Sequence, residues 1–151
     1  MNKNAILLVG GVVITLLFVL LSSDVYALLI SPFYDADFDN EMYDASAYLD
    51  VAAIGSGMAW AWAAVFYYLI NSVSFSRWYH WLIVLGVNSV LLALVSYYLP
   101  DGIFYDRGLD FPGQLTRFAL LNVFVGAVLF TIASFSMRWW SYNCRHTPIP
   151  E

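Results

Sequence analysis

Apolar residues do not alternate with polar ones along this chain; they gather into four long runs separated by shorter polar stretches. The runs cover residues 5–30, 51–70, 81–99 and 118–137. A helix rises 1.5 Å per residue, so roughly 20 mainly apolar residues cross the 30 Å hydrocarbon layer of a bilayer. Strands of a membrane barrel would be shorter and would alternate polar with apolar positions, which these runs do not. The pattern predicts an all-α membrane protein: four transmembrane helices in an up-down-up-down bundle, one integral membrane domain over residues 1–151. Acidic outer loops at 31–50 and 100–117 and a cytoplasmic tail at 138–151 complete it.

Composition makes the same demand. Of the 151 residues, 62% are hydrophobic and only 11% charged, against about 25% charged in an ordinary soluble domain. A chain this short cannot hide that much apolar surface in one core. The first run has some features of a cleaved secretory leader, with Lys3 ahead of it and Val25-Tyr26-Ala27 as a cleavage-like triplet. It is longer than a leader's apolar core and carries Asp24 beside the triplet, so it reads as a retained anchor.

Charge then orients the bundle. Cytoplasmic loops carry an excess of Lys and Arg. Lys3, Arg77, Arg138 and Arg145 fall on one side of the four runs; Arg107 and Arg117 fall on the other. Asp24, Asp35, Asp37, Asp39, Glu41, Asp44, Asp50, Asp101, Asp106 and Asp110 share that second side, and only Glu151 joins Lys3. Both termini are therefore expected in the cytoplasm. The net charge of −5 describes an acidic outer surface, which makes nucleic acid a poor partner. Trp and Tyr collect at membrane interfaces: Trp78, Tyr79, Trp81, Trp139, Trp140 and Tyr142 predict an inner belt, and Tyr26, Tyr34, Tyr97, Tyr98 and Tyr105 an outer one.

Local punctuation sets finer boundaries. Asp39 or Asn40 is placed to cap a helix, with Glu41 and Asp44 suiting its positive N-terminal end, so the second membrane helix is expected to begin outside the bilayer. Pro100-Asp101-Gly102 and Phe111-Pro112-Gly113 signal turns in the second outer loop. The short stretch from Asn71 to Trp78 makes the second and third spans an antiparallel pair.

Within the spans, small and polar residues carry the information. Gly55, Ala59 and Ala63 recur every fourth position, and Gly57 with Ala61 forms a neighbouring small stripe. Small residues let helices approach closely in lipid, either within the chain or against another subunit. Asn88 lies about 10 Å above the inner boundary, level with Thr131 and close to Trp62. A hydrogen bond between Asn88 and either Thr131 or the Trp62 indole is the expected register. Asp24 stands about 29 Å above Ala5, at the outer boundary and level with Arg117, which predicts an Asp24–Arg117 ion pair there.

The candidate chemistry is thin. Asp35-x-Asp37-x-Asp39 with Glu41 resembles the start of a calcium loop, but Asn40 and Ser46 stand where Gly and Glu are required. Cys144 is alone, and a membrane thiol oxidoreductase needs a redox pair. Ser56 has no base at its depth, since His80 and His146 lie near the opposite boundary. Asp24, Asp101, Asp106 and Asp110 supply carboxylates for a membrane aspartyl peptidase, without the surrounding motifs such enzymes carry. No catalytic residue, metal ligand or cofactor site is therefore predicted.

The remaining reading is a small non-catalytic membrane subunit that anchors or assembles a larger envelope complex, such as a secretion or defence machine. Its partners are the lipid bilayer and other membrane or cytoplasmic subunits, with self-association an option; a bacterial cytoplasmic membrane suits its compactness. Arg138, Trp139, Trp140 and Arg145 form the expected docking segment, because aromatics and Arg dominate interface hot spots. A self-associating channel or transporter is the alternative, and a peptidase the third.

Overall fold

A computed structural model describes residues 2–149, and every regular element among them is a helix. Four helices are long and apolar enough to cross a membrane. They are built from α1 (Lys3–Leu20), α4 (Ala47–Ala64, continued by a π-helical turn over Val65–Ile70), α5 (Trp78–Asp106) and α6 (Pro112–Met137). Two short helices, α2 (Ser22–Ile30) and α3 (Ala36–Asp44), link α1 to α4.

The first apolar run, expected as one helix, is two. Leu21 leaves helical geometry at φ −102°, ψ 17°, just before Ser22 and Ser23, whose short polar side chains compete with the helical backbone. The break is shallow, because Val25 N–H still donates to the Leu21 carbonyl at 3.0 Å. Pro32 then stops α2 in a single 3₁₀ turn.

Asp35, and not Asp39 or Asn40, caps the next helix: its side chain accepts from Phe38 N–H at 3.0 Å. A left-handed Ser46 turns α3 into α4, so Asp39, Asn40, Glu41 and Asp44 belong to a separate short helix and α4 begins at Ala47.

Pro100-Asp101-Gly102 is helix and not turn. α5 runs through Pro100 for 29 residues, about 44 Å, because Phe104 in its last turn is anchored between Phe38 and Phe111. It stops at a glycine cap: Gly108, at φ +72°, donates to the Tyr105 carbonyl and Leu109 donates to that of Phe104. Pro112 opens α6 at a first-turn position, where its missing N–H costs nothing.

The core is arranged around close approaches of helix backbones. A Cβ placed on Gly126 of α6 would lie 3.0 Å from Ser89 Cα of α5, so these two helices touch almost backbone to backbone. Leu92 fills the adjoining notch, and a Cβ on Gly55 of α4 would meet its Cδ1 at 2.7 Å. A Cβ on Gly11 of α1 would meet Ser136 Cβ of α6 at 2.8 Å. At one end of the bundle, Tyr26, Phe38, Tyr48, Phe104, Phe111 and Phe118 pack ring against ring.

Candidate functional site

The two small-residue stripes of α4 face opposite ways. Gly55, Ala59 and Ala63 are buried, Gly55 against Leu92 of α5. Gly57 and Ala61 are exposed, together with Ala53, and nothing lies within 4 Å of a Cβ built on Gly57. The first stripe is buried; the second is exposed, and its Ala53 and Gly57 line an open groove beside Val12, Leu16 and Val19 of α1.

Interior polar groups are tied between helices, with partners other than those expected. Asn88 donates from Nδ2 to the Gly126 carbonyl at 3.0 Å. The absent side chain at Gly126 brings that carbonyl within reach. Thr131 donates to the Ala127 carbonyl of its own helix, and Trp62 takes no part. Tyr26, expected at the outer interface, is fully buried and donates to Asn122 Oδ1 at 2.6 Å. Trp81, expected in the inner belt, is buried as well and donates to Ser134 Oγ at 3.1 Å. Trp60 donates to Thr15 Oγ1 at 3.1 Å, and Thr15 donates to the Gly11 carbonyl, which ties α1 to α4.

Asp24 and Arg117 do not meet. Tyr26 and Phe118 face each other across α2 and α6, with ring centroids 5.0 Å apart. Asp24, two residues before Tyr26, is about 200° around its helix and is therefore turned away; both charges are exposed. The one salt bridge among the described residues joins Arg107 to Glu41 at 2.8 Å. Part of the acidic loop is engaged in fold contacts, while Asp37, Asp44 and Asp50 are exposed. Asp39 accepts from Tyr48 OH at 2.8 Å, and Asp35 accepts from Gln114 Nε2 at 3.3 Å in addition to its capping bond. No three His, Cys, Asp or Glu side chains among the described residues are grouped to hold a metal ion.

The tail is the largest departure from expectation. It folds back over the end of the bundle, against the π-helical turn and the 71–76 link. Asn71, left-handed at φ +31°, is the hub: its Oδ1 accepts from Ser141 Oγ and from Asn143 N–H, both at 2.9 Å, and its carbonyl accepts from Asn143 Nδ2 at 2.6 Å. Tyr67 OH donates to the Thr147 carbonyl at 2.9 Å, Tyr68 OH to that of Met137 at 2.7 Å, and Thr147 Oγ1 to that of Ser76. Cys144 is fully buried beneath this cap, and burial pushes its thiol pKa up.

Of the four expected docking residues, Trp140 and Arg145 are exposed and Trp139 is half-buried. Arg138 is only 8% exposed. Its guanidinium carbon lies 4.8 Å from the Phe135 ring centroid and 4.2 Å from that of Trp139. Its Nε and Nη1, like Trp139 Nε1, are buried with no hydrogen-bond partner among the described residues.

No protein-family model, curated protein or solved structure matches this chain.

Proposed function

We propose that this chain is a small, non-catalytic membrane subunit that assembles with other subunits of an envelope complex. The observation that carries this reading is the open stripe Ala53, Gly57 and Ala61 on the outward face of α4. In lipid, helix association depends on close packing and not on hydrophobicity, and small residues every fourth position are what allow it. A partner helix would give this stripe the role that Gly55, Ala59 and Ala63 have inside the bundle.

The reading includes an up-down-up-down course with both termini cytoplasmic, in a multi-pass protein of the cell membrane. Contact order supports the course: Gly11 meets Ser136 while Tyr26 meets Phe118, and Trp81 meets Ser134 while Asn88 meets Gly126. These pairs run in opposite chain directions. Lys3, Arg77, Arg138 and Arg145 support the orientation.

The test is copurification in mild detergent at native expression, with Gly57→Leu against wild type. Other membrane or cytoplasmic proteins should accompany the wild type and be lost from the variant, whose melting temperature stays unchanged. A lone symmetric oligomer that conducts ions would replace this reading with a self-associating channel.

A further inference from the structure

We propose that α4 is the contact helix of a two-fold symmetric dimer. The α4 of a second copy seats in the groove between α1 and α4, with Gly57 at the crossing and the Ser56 hydroxyl bonded to a backbone carbonyl of the partner helix. The inference rests on the reading of the outward stripe as an assembly face and names what occupies it, so the complex put forward above contains this chain in pairs.

The groove has a volume of about 400 Å³ and lies between Val12, Leu16 and Val19 of α1 and Ala53, Ser56 and Gly57 of α4. Thr15 and Trp60 line it too, and their polar atoms are bonded to each other. Ser56 differs. It is only 5% exposed, and its Oγ is buried with no hydrogen-bond partner among the described residues. Thr15, Thr131 and Ser136 each return their hydroxyl to the carbonyl four residues back in their own helix. Ser56 makes no such bond. Rotation about its one side-chain torsion turns the hydroxyl toward whatever fills the groove.

Depth decides the kind of partner. Ser56 lies about 8 Å inside Val51, where the apolar run begins. Headgroups and ester carbonyls of lipids stay at the boundary, and an acyl chain in the groove would bring no acceptor. A backbone carbonyl of another helix is the acceptor found at that depth, and small residues on both helices bring it within reach. The chain already contains one such contact: Asn88 of α5 donates to the Gly126 carbonyl of α6, where the missing side chain lets the backbones close. Ser56 and Gly57 hold both halves of that contact in adjacent positions, a donor beside a bared carbonyl whose second lone pair is open to a partner. A two-fold axis along the membrane normal sets the donor of each copy against the carbonyl of the other at one depth, as an isologous contact requires. No side chain lining the groove is charged, so nothing in it repels a second copy.

The experiment uses the purified full chain in phosphatidylcholine vesicles, with donor- and acceptor-labelled copies of Tyr142→Cys and energy transfer followed as lipid is added. Transfer should exceed that of random mixing and fall along a monomer–dimer curve. Gly57→Leu, made where a Cβ meets nothing in the monomer, should weaken self-association by roughly tenfold or more at an unchanged melting temperature. Ser56→Ala should weaken it several-fold. Under mild oxidation Ala61→Cys should form a disulfide-linked dimer, and Ile83→Cys, equally exposed but on α5, should not. Random-mixing transfer in the wild type overturns the proposal. So does wild-type self-association by Gly57→Leu, or equal cross-linking at positions 61 and 83. Copurification at native expression keeps this test apart from the reading beneath it. A monomeric chain whose Gly57→Leu variant still loses its copurifying proteins overturns the dimer and leaves the assembly face to another subunit. A dimer that brings no other protein with it supports the pair and overturns the heteromeric complex.

Discussion

Among single residues, the Tyr26–Asn122 hydrogen bond makes the sharpest demand. Both side chains are fully buried, and Asn122 also donates to the Phe118 carbonyl of its own helix. Tyr26→Phe leaves Asn122 Oδ1 buried without its donor, which should cost about 1 kcal/mol. Asn122→Leu strands the tyrosine hydroxyl at similar cost, whereas the double variant strands neither. A double-mutant cycle on unfolding in detergent should show losses well short of additive; strict additivity would mean that the two residues do not interact. This pairing was not legible in the sequence, because Tyr26 reads equally well as an interface residue. Cys144 was legible only as a lone thiol, and its burial depends on a tail fold that no periodicity announces. Its raised pKa has a definite sign: the folded chain keeps the proton longer than the unfolded one, so the thiol's contribution to stability falls as pH rises past about 8.5. At neutral pH, reaction of Cys144 with a thiol reagent should be slow in the folded protein and become rapid on denaturation. Equal rates in both states would contradict its burial.

At the level of elements, all four apolar runs proved to be helices, since run length and hydropathy alone determine that outcome. What hydropathy cannot carry is how helices meet. Gly11 and Gly126 both lie at close helix crossings, and neither belongs to the repeated small-residue pattern of α4. The repeated pattern was visible on α4, yet its phase relative to the neighbours required the structure: one stripe faces in and the other out. The Leu21 break and the π-helical turn at Val65–Ile70 were illegible for a related reason. Each is a small backbone adjustment that hydropathy does not register: the first precedes Ser22 and Ser23, and the second holds the buried pair Phe66 and Tyr67. These differences predict a contrast between two glycines. Gly126→Ala must push α6 away from Ser89 Cα and strain the Asn88 bond, costing about 1–3 kcal/mol as overpacked cores do. Gly57→Ala should leave the melting temperature of the isolated chain within error, because its Cβ meets nothing. Thermal melts in one detergent check both, and equal losses would mean that the outward stripe is already packed in the monomer.

For the whole molecule, the question is whether the chain end after Met137 is a lid, a docking segment, or both. The notion of a free docking tail came from its Arg and Trp content, but hydrogen bonds from Ser141, Asn143 and Thr147 to the 71–76 link, and from Tyr67 to Thr147, make much of it part of the bundle's end. Truncation after Trp140 removes those partners together. It leaves the Ser76 carbonyl, Tyr67 OH and the polar groups of Asn71 to water or to lipid, and uncovers the π-helical turn. A loss of several kcal/mol is expected, since each buried polar group left unpaired costs about 1–3 kcal/mol. Replacing Trp140 and Arg145 by alanine is a different operation. Both side chains are exposed, and neither makes a bond to the 71–76 link or to Tyr67. That double variant should melt with the wild type while releasing a cytoplasmic partner, because what it removes is surface and not support. The two results together separate the roles: a destabilised truncation with a stable double variant that has lost its partner assigns support to the buried residues and docking to the exposed ones. If the double variant instead kept every copurifying protein, Trp140 and Arg145 would be interfacial anchors, and partner contact would have to fall to the outward face of α4.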